Sequence, residues 1–356
     1  MSWELYEHVL RSRSMREVAS NAPIPFAAKR YCLALFCSAS SFTNRQYVEG
    51  PITSYDPVCI GWRQRSVGSV GLGRSGRPVV LLAGGGDTAH VFDDFAPKLT
   101  AHDHVYGITR RGFGASGYAE AGDVAERLGE DVLAVIDALQ LNNPILVGHS
   151  IAGGELSWMA NTHPNRIAGP VYLEAGYSYA FDNGKGSATM EMMKLQAPQP
   201  PPPNAVDLVS FNALQKYDDR VNGFQFPEAE LREERQSKAD GSVGNWCNPP
   251  GGPMLMKLIT GGPKYTKILV TALFIFANPH SLGPWVDSSP DASVRTAAKA
   301  YTTALTILTQ KQEMVVEHGV PTARVITLHD ANHYVFLSNQ TDVLRYLSAF
   351  LTELQP

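Results

Sequence analysis

The sequence predicts an α/β fold, with a mostly parallel, doubly wound sheet and an inserted, mainly helical cap. Short apolar runs typical of buried strands alternate with amphipathic helical patterns from Pro78 onward, which is the pattern of a parallel sheet covered by helices. The alternation stops after Gly176 and resumes near Ile268. An insertion of about 90 residues into a single sheet accounts for this interruption.

Six segments form the first part of the predicted sheet and its covering helices. The helix over 123–141 is the clearest, because its apolar residues recur at three- and four-residue spacing and its acidic residues fall between them. In chain order the segments are strand 78–82, strand 105–108, helix 123–141, strand 145–147, helix 152–161 and strand 171–173.

The second part of the sheet follows a stretch rich in turn-forming residues. A proline run from Pro200 to Pro203 and the pairs Gly251-Gly252 and Gly261-Gly262 interrupt the pattern there. The later segments are strand 268–276, helix 292–317, strand 324–328 and helix 341–354. The chain is therefore divided into an N-terminal extension (1–55), a first part of the core (56–176), a cap (177–265) and a second part of the core (266–356).

Composition and charge favour a small-molecule substrate. Hydrophobic residues make up 44% and charged residues 18% of the 356 residues, as in a globular protein that buries a large core. The net charge of -4 provides no basic field for the phosphates of a nucleic acid. We expect no stable membrane span, and the sequence leaves the oligomeric state open.

The N-terminal extension contains a segment over 29–40 with the layout of an export signal, basic at first and then apolar. The residues before it include Glu4, Glu7 and Glu17, which make this region long and acidic for such a signal. A buried or amphipathic extension is the alternative. Export would make the protein secreted or periplasmic, and otherwise we expect a cytoplasmic one. Spacing alone cannot establish a disulfide between the two candidate cysteines, Cys59 and Cys247.

The strongest local signal is a strand that runs into a Gly-x-Ser-x-small turn and then a helix, from Ile145 to Gly154. Such a turn exposes the hydroxyl of its central serine, here Ser150, and the small neighbours let strand and helix pack closely. The motif resembles the nucleophile elbow of the α/β-hydrolase superfamily, with Ala152 where that family usually has glycine. A buried serine in a tight turn is the structural alternative.

A serine hydroxyl needs an adjacent base to act as a nucleophile at neutral pH. In the superfamily the order is serine, acid, histidine, so the base follows the last strand. His333 stands five residues after the predicted strand 324–328 and before the terminal helix, which fits. His329 is the rival, and its place nearer the strand favours a structural role.

The resemblance also implies backbone N–H donors for an oxyanion. One comes from the residue after the nucleophile, here Ile151. The others come from the glycine-rich loop 83–88, where Gly85 and then Gly86 are the best candidates. Related families often have histidine where Ala83 stands, so the register of this loop stays open. The loop 110–117 resembles the Arg-Gly-x-Gly-x-Ser loop of the superfamily, whose role is mainly structural.

The position of the third triad member departs from the usual pattern. In most relatives the acid follows the strand after the cap, but residues 277–286 contain no carboxylate. Glu174 closes the apolar strand 171–173 beside the elbow, and some superfamily members place the acid there. A charged residue at such a buried place implies a partner. Glu174 is therefore the expected acid, with Asp287 and Asp330 as alternatives. The non-catalytic alternative is that Glu174 forms a purely structural ion pair.

The sequence predicts no cofactor and no metal. Two Gly-x-Gly-x-x-Gly matches begin at Gly71 and Gly112, but neither connects a strand directly to a helix as a dinucleotide site requires. The pairs His102 with His104 and His329 with His333 lack the further ligands of a metal site.

Ser150 at the elbow argues against dehalogenases and epoxide hydrolases, which need a carboxylate there to form an alkyl ester. Hydrolysis of a small carboxylic ester or lactone through an acyl-enzyme is the expected activity. Aminopeptidase, carbon-carbon hydrolase and cofactor-free perhydrolase chemistry are the alternatives, since they use the same groups. A receptor for a small molecule is the non-enzymatic alternative.

Overall fold

The structure is a computed structural model that describes residues 56–62, 65–72, 76–118, 125–186, 189–261 and 265–354, with backbone only for the first two ranges. The predicted N-terminal extension and its segment 29–40 lie outside these residues. The side chain of Cys59 does as well, so the question whether it pairs with Cys247 stays open. The domain boundaries drawn from the sequence likewise remain predictions.

Eight strands form one sheet in the order β1-β2-β4-β3-β5-β6-β9-β10. The pairs from β4 to β10 are parallel, and the pairs β1-β2 and β2-β4 are antiparallel. A second sheet of two antiparallel strands, β7 and β8, lies within the cap segment. The strands are β1 (Asp56–Trp62), β2 (Arg65–Leu72), β3 (Arg77–Leu82), β4 (Asp103–Ile108), β5 (Ile145–His149), β6 (Gly169–Leu173), β7 (Arg235–Ser237), β8 (Val243–Trp246), β9 (Ala272–Ala277) and β10 (Ala323–Leu328).

Ten α-helices cover this sheet or lie in the cap segment of the described chain. They are α1 (Ala125–Ala138), α2 (Gly153–Thr162), α3 (Thr189–Met193), α4 (Phe211–Asn222), α5 (Glu228–Glu234), α6 (Met254–Gly261), α7 (Trp285–Ser288), α8 (Ala292–Gly319), α9 (Val335–Ser338) and α10 (Gln340–Glu353). The predicted α/β fold with its mostly parallel sheet is confirmed.

The central strands of the sheet are buried on both faces, and this is why they are mainly apolar in the sequence. Every residue of β5, β6 and β9 is buried, because side chains from both faces of these central strands enter one of two apolar clusters. The predicted strand 268–276 begins later than expected, at Ala272. Its neighbours explain this, since the register with β10 starts at Ala272 and that with β6 at Leu273. Leu269 accordingly remains 56% exposed.

The cap segment contributes to the same core. Phe211, Phe224 and Phe226 are buried in the cluster that includes β3, β5 and β10 residues. Met254 belongs to a smaller cluster with Ile151, the residue after the candidate nucleophile. These apolar cap residues therefore form core rather than an open binding surface. Across the described ranges, no helix is both long and apolar enough to cross a membrane.

Candidate active site

The candidate nucleophile lies at a strained turn between β5 and α2. Ser150 has φ of 52°, a left-handed conformation that is costly for a residue with a side chain. A Cβ on Gly148 would lie 2.9 Å from Leu156, and one on Gly153 would lie 2.0 Å from the Ala175 carbonyl oxygen. Small residues are thus required on both sides of the serine. The predicted strand-turn-helix geometry is present around it.

The structure brings Glu174 and His333 together. Glu174 follows β6 directly, also with a positive φ, of 50°, and its side chain is fully buried. His333 lies in the turn between β10 and α9. Its Nδ1 is 3.1 Å from Glu174 Oε2. Because Nδ1 faces the carboxylate, Nε2 is on the opposite side of the ring.

The rivals for these two roles lie elsewhere. Asp287 in α7, Asp330 and His329 are all exposed to solvent. The carboxylate of Glu174, in contrast, is surrounded by donors. Its Oε1 accepts from the Ala277 backbone N–H at 2.6 Å, and the Tyr177 hydroxyl lies 2.9 Å from Oε2.

A further histidine binds the same carboxylate and was not singled out from the sequence. His280 lies after β9, at the place where most relatives carry the acid, and its Nε2 is 2.7 Å from Glu174 Oε2. It is 8% exposed. The signal that could have revealed it was the missing carboxylate in this loop, because a buried acid on the neighbouring strand needs a donor from somewhere.

The neighbouring charges determine the protonation of the pair. Burial alone would raise the pKa of Glu174, but its contacts with His280 and His333 outweigh burial and hold that pKa well below the ordinary value. Burial lowers the pKa of His333 below 6.5, and the positive charge that His149 and His280 can carry lowers it further. The hydrogen bond that His333 donates to Glu174 and the negative charge of Glu174 raise the pKa of His333, but they only partly offset this. The base is therefore neutral and the acid ionised at neutral pH.

The glycine-rich loop packs against the Ile151 side chain. A Cβ on Gly85 would lie 3.3 Å from Ile151 Cγ2, and Gly86 has φ of 92°, which glycine adopts readily. Arg110 fixes this loop from behind, donating to the carbonyl oxygens of Ala83 and Gly84 at 2.9 and 2.8 Å. In a trans peptide the N–H points opposite to the carbonyl. The N–H of Gly85 therefore points away from Arg110.

Tyr179 also lies near the elbow, because the Ser150 side chain is close enough to its hydroxyl to affect the pKa of the tyrosine. Burial, followed by the charge of Glu174, raises the pKa of this tyrosine well above its ordinary value, so the hydroxyl keeps its proton. Tyr179 and Ile151 line a narrow cleft together with Leu128 of α1 and Leu258 of the cap helix α6. The space beside the serine is mostly apolar.

Buried polar side chains connect the glycine-rich loop to two other parts of the structure. Tyr334, next to His333, donates to Asp87 Oδ1 at 3.2 Å. Glu230 of cap helix α5 accepts from the Thr88 backbone N–H at 2.9 Å, and its other oxygen lies 2.5 Å from the Thr88 hydroxyl. Burial raises the pKa of Glu230 well above the ordinary value, and the charges of Asp87 and Glu234 raise it further.

Among the residues that the structure describes, two sets of side chains have atoms close enough together to hold a metal ion. In each set the ligand atoms lie within 4.8 Å of one another, and the sets are Glu174 with His280 and His333, and Asp87 with Glu230 and Glu234. In the first set the two imidazoles already contact the carboxylate at hydrogen-bonding distance. The geometry of that set therefore suits a proton-transfer site.

Comparison with known proteins places this geometry in a family. A model of the alpha/beta hydrolase family matches residues 79–345. The chain therefore belongs to the alpha/beta hydrolase family, and the resemblance drawn from the elbow motif is confirmed.

Individual relatives match shorter segments. Non-heme chloroperoxidase of Streptomyces lividans is 33% identical over 104 residues, which cover 29% of this chain and 38% of that protein. Pyrethroid hydrolase of Sphingobium wenxiniae is 30% identical over 102 residues, covering 27% and 35%. The chain thus spans little more than a third of the length of these curated relatives.

A solved structure matches over a longer range. The crystal structure of E-2-(acetamidomethylene)succinate hydrolase has a TM-score of 0.56 with this chain at 17% identity, covering 84% of this chain and 100% of that one. This likeness shows the fold, and the chemistry has to be argued from the site.

Proposed function

We propose that the protein is a serine hydrolase that cleaves a small-molecule carboxylic ester or lactone through an acyl-enzyme intermediate. Ser150 is the nucleophile, His333 the general base and Glu174 the acid that orients it. The observation that carries the proposal is the 3.1 Å contact between His333 Nδ1 and Glu174 Oε2, combined with the left-handed turn at Ser150. Together they supply a serine hydroxyl on a strained turn, at a half-buried position, and an oriented imidazole.

In the acylation step, Ser150 Oγ attacks the carbonyl carbon while its proton passes to His333 Nε2. Glu174 holds the Nδ1 proton and stabilises the imidazolium that forms. The developing oxyanion accepts hydrogen bonds from the backbone N–H groups of Ile151 and of Gly85 or Gly86. Collapse of the tetrahedral intermediate breaks the bond to the leaving alcohol, which takes the proton from His333.

Deacylation repeats these steps with water as the nucleophile. His333 takes a proton from the water, the oxygen attacks the acyl carbon, and Ser150 Oγ leaves and recovers the proton. The narrow cleft beside Ile151 and Tyr179 is lined mainly by apolar side chains, so the proposal is that the part of the substrate next to the ester is apolar. No step asks for a cofactor, and the hypothesis is that none is used.

The decisive variant is Ser150→Ala, which removes one oxygen atom from the turn. We expect kcat for p-nitrophenyl esters to fall about 10⁴-fold or more, as when the nucleophile of a cooperative triad is deleted. Labelling by a fluorophosphonate should be lost as well. Unchanged circular dichroism and melting temperature would show that the fold is intact. Near-normal turnover or labelling by this variant would refute the nucleophile assignment, and a pure receptor would not label in the first place.

Cofactor-free perhydrolysis is a second candidate, favoured by the match to a protein named non-heme chloroperoxidase. In that reaction hydrogen peroxide replaces water in deacylation. Its oxygen attacks the acyl carbon, Ser150 Oγ leaves with the returned proton, and a peroxy acid is released. Bromide oxidation that requires both p-nitrophenyl acetate and hydrogen peroxide, and that is lost in Ser150→Ala, would support it. Ester cleavage without bromide oxidation would leave only the hydrolase.

A further inference from the structure

The loop after β9 places a histidine against the triad carboxylate. His280 Nε2 lies 2.7 Å from Glu174 Oε2, the same oxygen that His333 Nδ1 contacts at 3.1 Å. Glu174 thus lies between two imidazoles. An ionised carboxylate can only accept hydrogen bonds, so each imidazole donates an N–H to Oε2.

Local structure fixes the position of His280. The backbone N–H of Ser281 donates to the Ala331 carbonyl at 2.8 Å, and the Asn332 side chain donates to the Ser281 carbonyl at 3.2 Å. The loop that carries His280 is therefore tied to the loop that carries His333. These two hydrogen bonds between the loops keep both imidazoles close to the same carboxylate.

The other nitrogen of His280 shows which protonation state fits the site. Its Nδ1 is buried and has no hydrogen-bond partner among the described residues. A proton on Nδ1 would be buried without an acceptor, which is unfavourable. The neutral form with its proton on Nε2 avoids this and still donates to Glu174. His280 therefore presents a single N–H, and that N–H points at the triad.

We propose that His280 is a positioning residue for the triad, an inference that rests on the proposed roles of Glu174 and His333. Its Nε2–H holds Glu174 Oε2 within hydrogen-bonding distance of His333 Nδ1 and keeps the carboxylate ionised. His280 occupies the place in the fold where most relatives carry the acid itself. In this chain Glu174 follows the neighbouring strand β6, and His280 donates to it from the loop after β9.

Two amide substitutions separate this role from general packing. The glutamine side chain can bring its amide nitrogen close to the position of Nε2, whereas the shorter asparagine places it near Nδ1. Both are polar, so they change the burial of the site similarly. We expect His280→Gln to keep kcat within about 3-fold of wild type. His280→Asn should lose about 10- to 100-fold, the range for a lost hydrogen bond to a charged group. KM should change little in either variant.

The same pair is then compared in a Glu174→Gln background, with fluorophosphonate labelling rates and p-nitrophenyl acetate turnover as readouts. If His280 acts through Glu174, the two variants should differ by less than about 2-fold there, because coupled residues are not additive. Melting temperatures of all variants control for folding. A His280→Asn and His280→Gln pair of equal activity, or a difference that persists without the Glu174 carboxylate, would overturn the inference.

The outcomes also separate this inference from the proposed function. A Glu174→Gln parent as active as the wild type would refute the triad itself. A nearly inactive Glu174→Gln parent, together with equal amide variants in the wild-type background, would leave the triad standing and refute only the role of His280.

Discussion

Glu174 and Glu230 are the same residue type at the same burial, and each has 0% exposure. Their pKa values nevertheless move in opposite directions. Glu174 accepts from His280, His333 and the Ala277 N–H, and its pKa is lowered. Glu230 accepts from Thr88 but faces the carboxylates of Asp87 and Glu234, and its pKa is raised.

The comparison teaches that burial does not decide the protonation of a carboxyl group, because it raises the pKa in both cases. The neighbours decide it. Glu174 is an anion among donors and can stabilise an imidazolium. The raised pKa of Glu230 favours its neutral form, and its contacts with Thr88 connect helix α5 to the glycine-rich loop. The first arrangement fits the proposed triad, and the second joins two distant parts of the chain.

The largest test of this contrast is the matched pair Glu174→Gln and Glu230→Gln, with kcat for p-nitrophenyl esters as the readout. Glutamine resembles a neutral carboxylic acid in shape but cannot carry a negative charge. We expect Glu174→Gln to lower kcat by up to about 10⁴-fold, since the orienting charge is lost. Glu230→Gln should stay within a few-fold of wild type.

Asp287→Asn serves as the control for the alternative acid. Asp287 is exposed in α7, so its substitution should leave kcat within about 2-fold of wild type, as for a surface change away from the site. A nearly inactive Asp287→Asn with an active Glu174→Gln would move the acid to the loop after the cap. The lowered pKa of Glu174 would then have no role in catalysis.

The sequence allowed much of this site to be predicted, because its main parts are local. The elbow around Ser150 needs small residues at fixed spacing, and those are visible in the chain. Glu174 could be predicted because a charged residue ends a buried strand, where it requires a partner. The parallel sheet then brings the ends of β5 and β6 to the same edge.

The remaining contacts could not be predicted, because they depend on long-range packing. His280 and Glu174 are 106 residues apart. The missing carboxylate in the loop 277–286 indicates that Glu174 needs a donor from elsewhere, but not which side chain supplies it. Glu230 and Thr88 are 142 residues apart. The pattern of α5 resembles that of an exposed helix, with four glutamates in seven residues. Only the cap packing decides which of these glutamates is buried.

The next prediction concerns the pH dependence of activity, which tests whether Glu174 is an anion that pairs with His333. The pKa of His333 is lowered below 6.5, and the neutral base is the active form. The value of kcat/KM should therefore rise as pH increases through a midpoint below 6.5 and stay level above it, falling about tenfold per unit on the acid side. Glu174 stays ionised across this range because its own pKa is lower.

A pH-rate profile from pH 4.5 to 8.5 measures this midpoint. Repeating it with EDTA is the control, since a mechanism without a metal predicts an unchanged curve. A midpoint clearly above 7, or an activity lost to EDTA and restored by zinc, would be incompatible with the proposed base.

The smallest expected effect is on stability, and it tests whether the pKa of Glu230 is raised by folding. A carboxyl whose pKa is raised on folding binds its proton more tightly in the folded state, so stability falls as pH rises above the unfolded value of about 4.3. Glutamine at this position carries no such penalty. The melting temperature of Glu230→Gln relative to wild type should therefore increase between about pH 4.5 and pH 8, by about 2–4 °C for each kcal/mol of penalty removed.

The matched control is Glu228→Gln in the same helix, a half-buried residue paired with Arg232, whose substitution should shift the melting temperature without the increase with pH expected for Glu230→Gln. If Glu230→Gln gains nothing as pH rises, Glu230 is ionised and its charge is balanced by something else. A wild-type melting temperature that EDTA lowers, with no such change in Glu230→Gln, would identify that balance as a cation held by Asp87, Glu230 and Glu234. The neutral acid predicts the opposite result, a stability that EDTA leaves alone and that declines steadily as the solution becomes more alkaline.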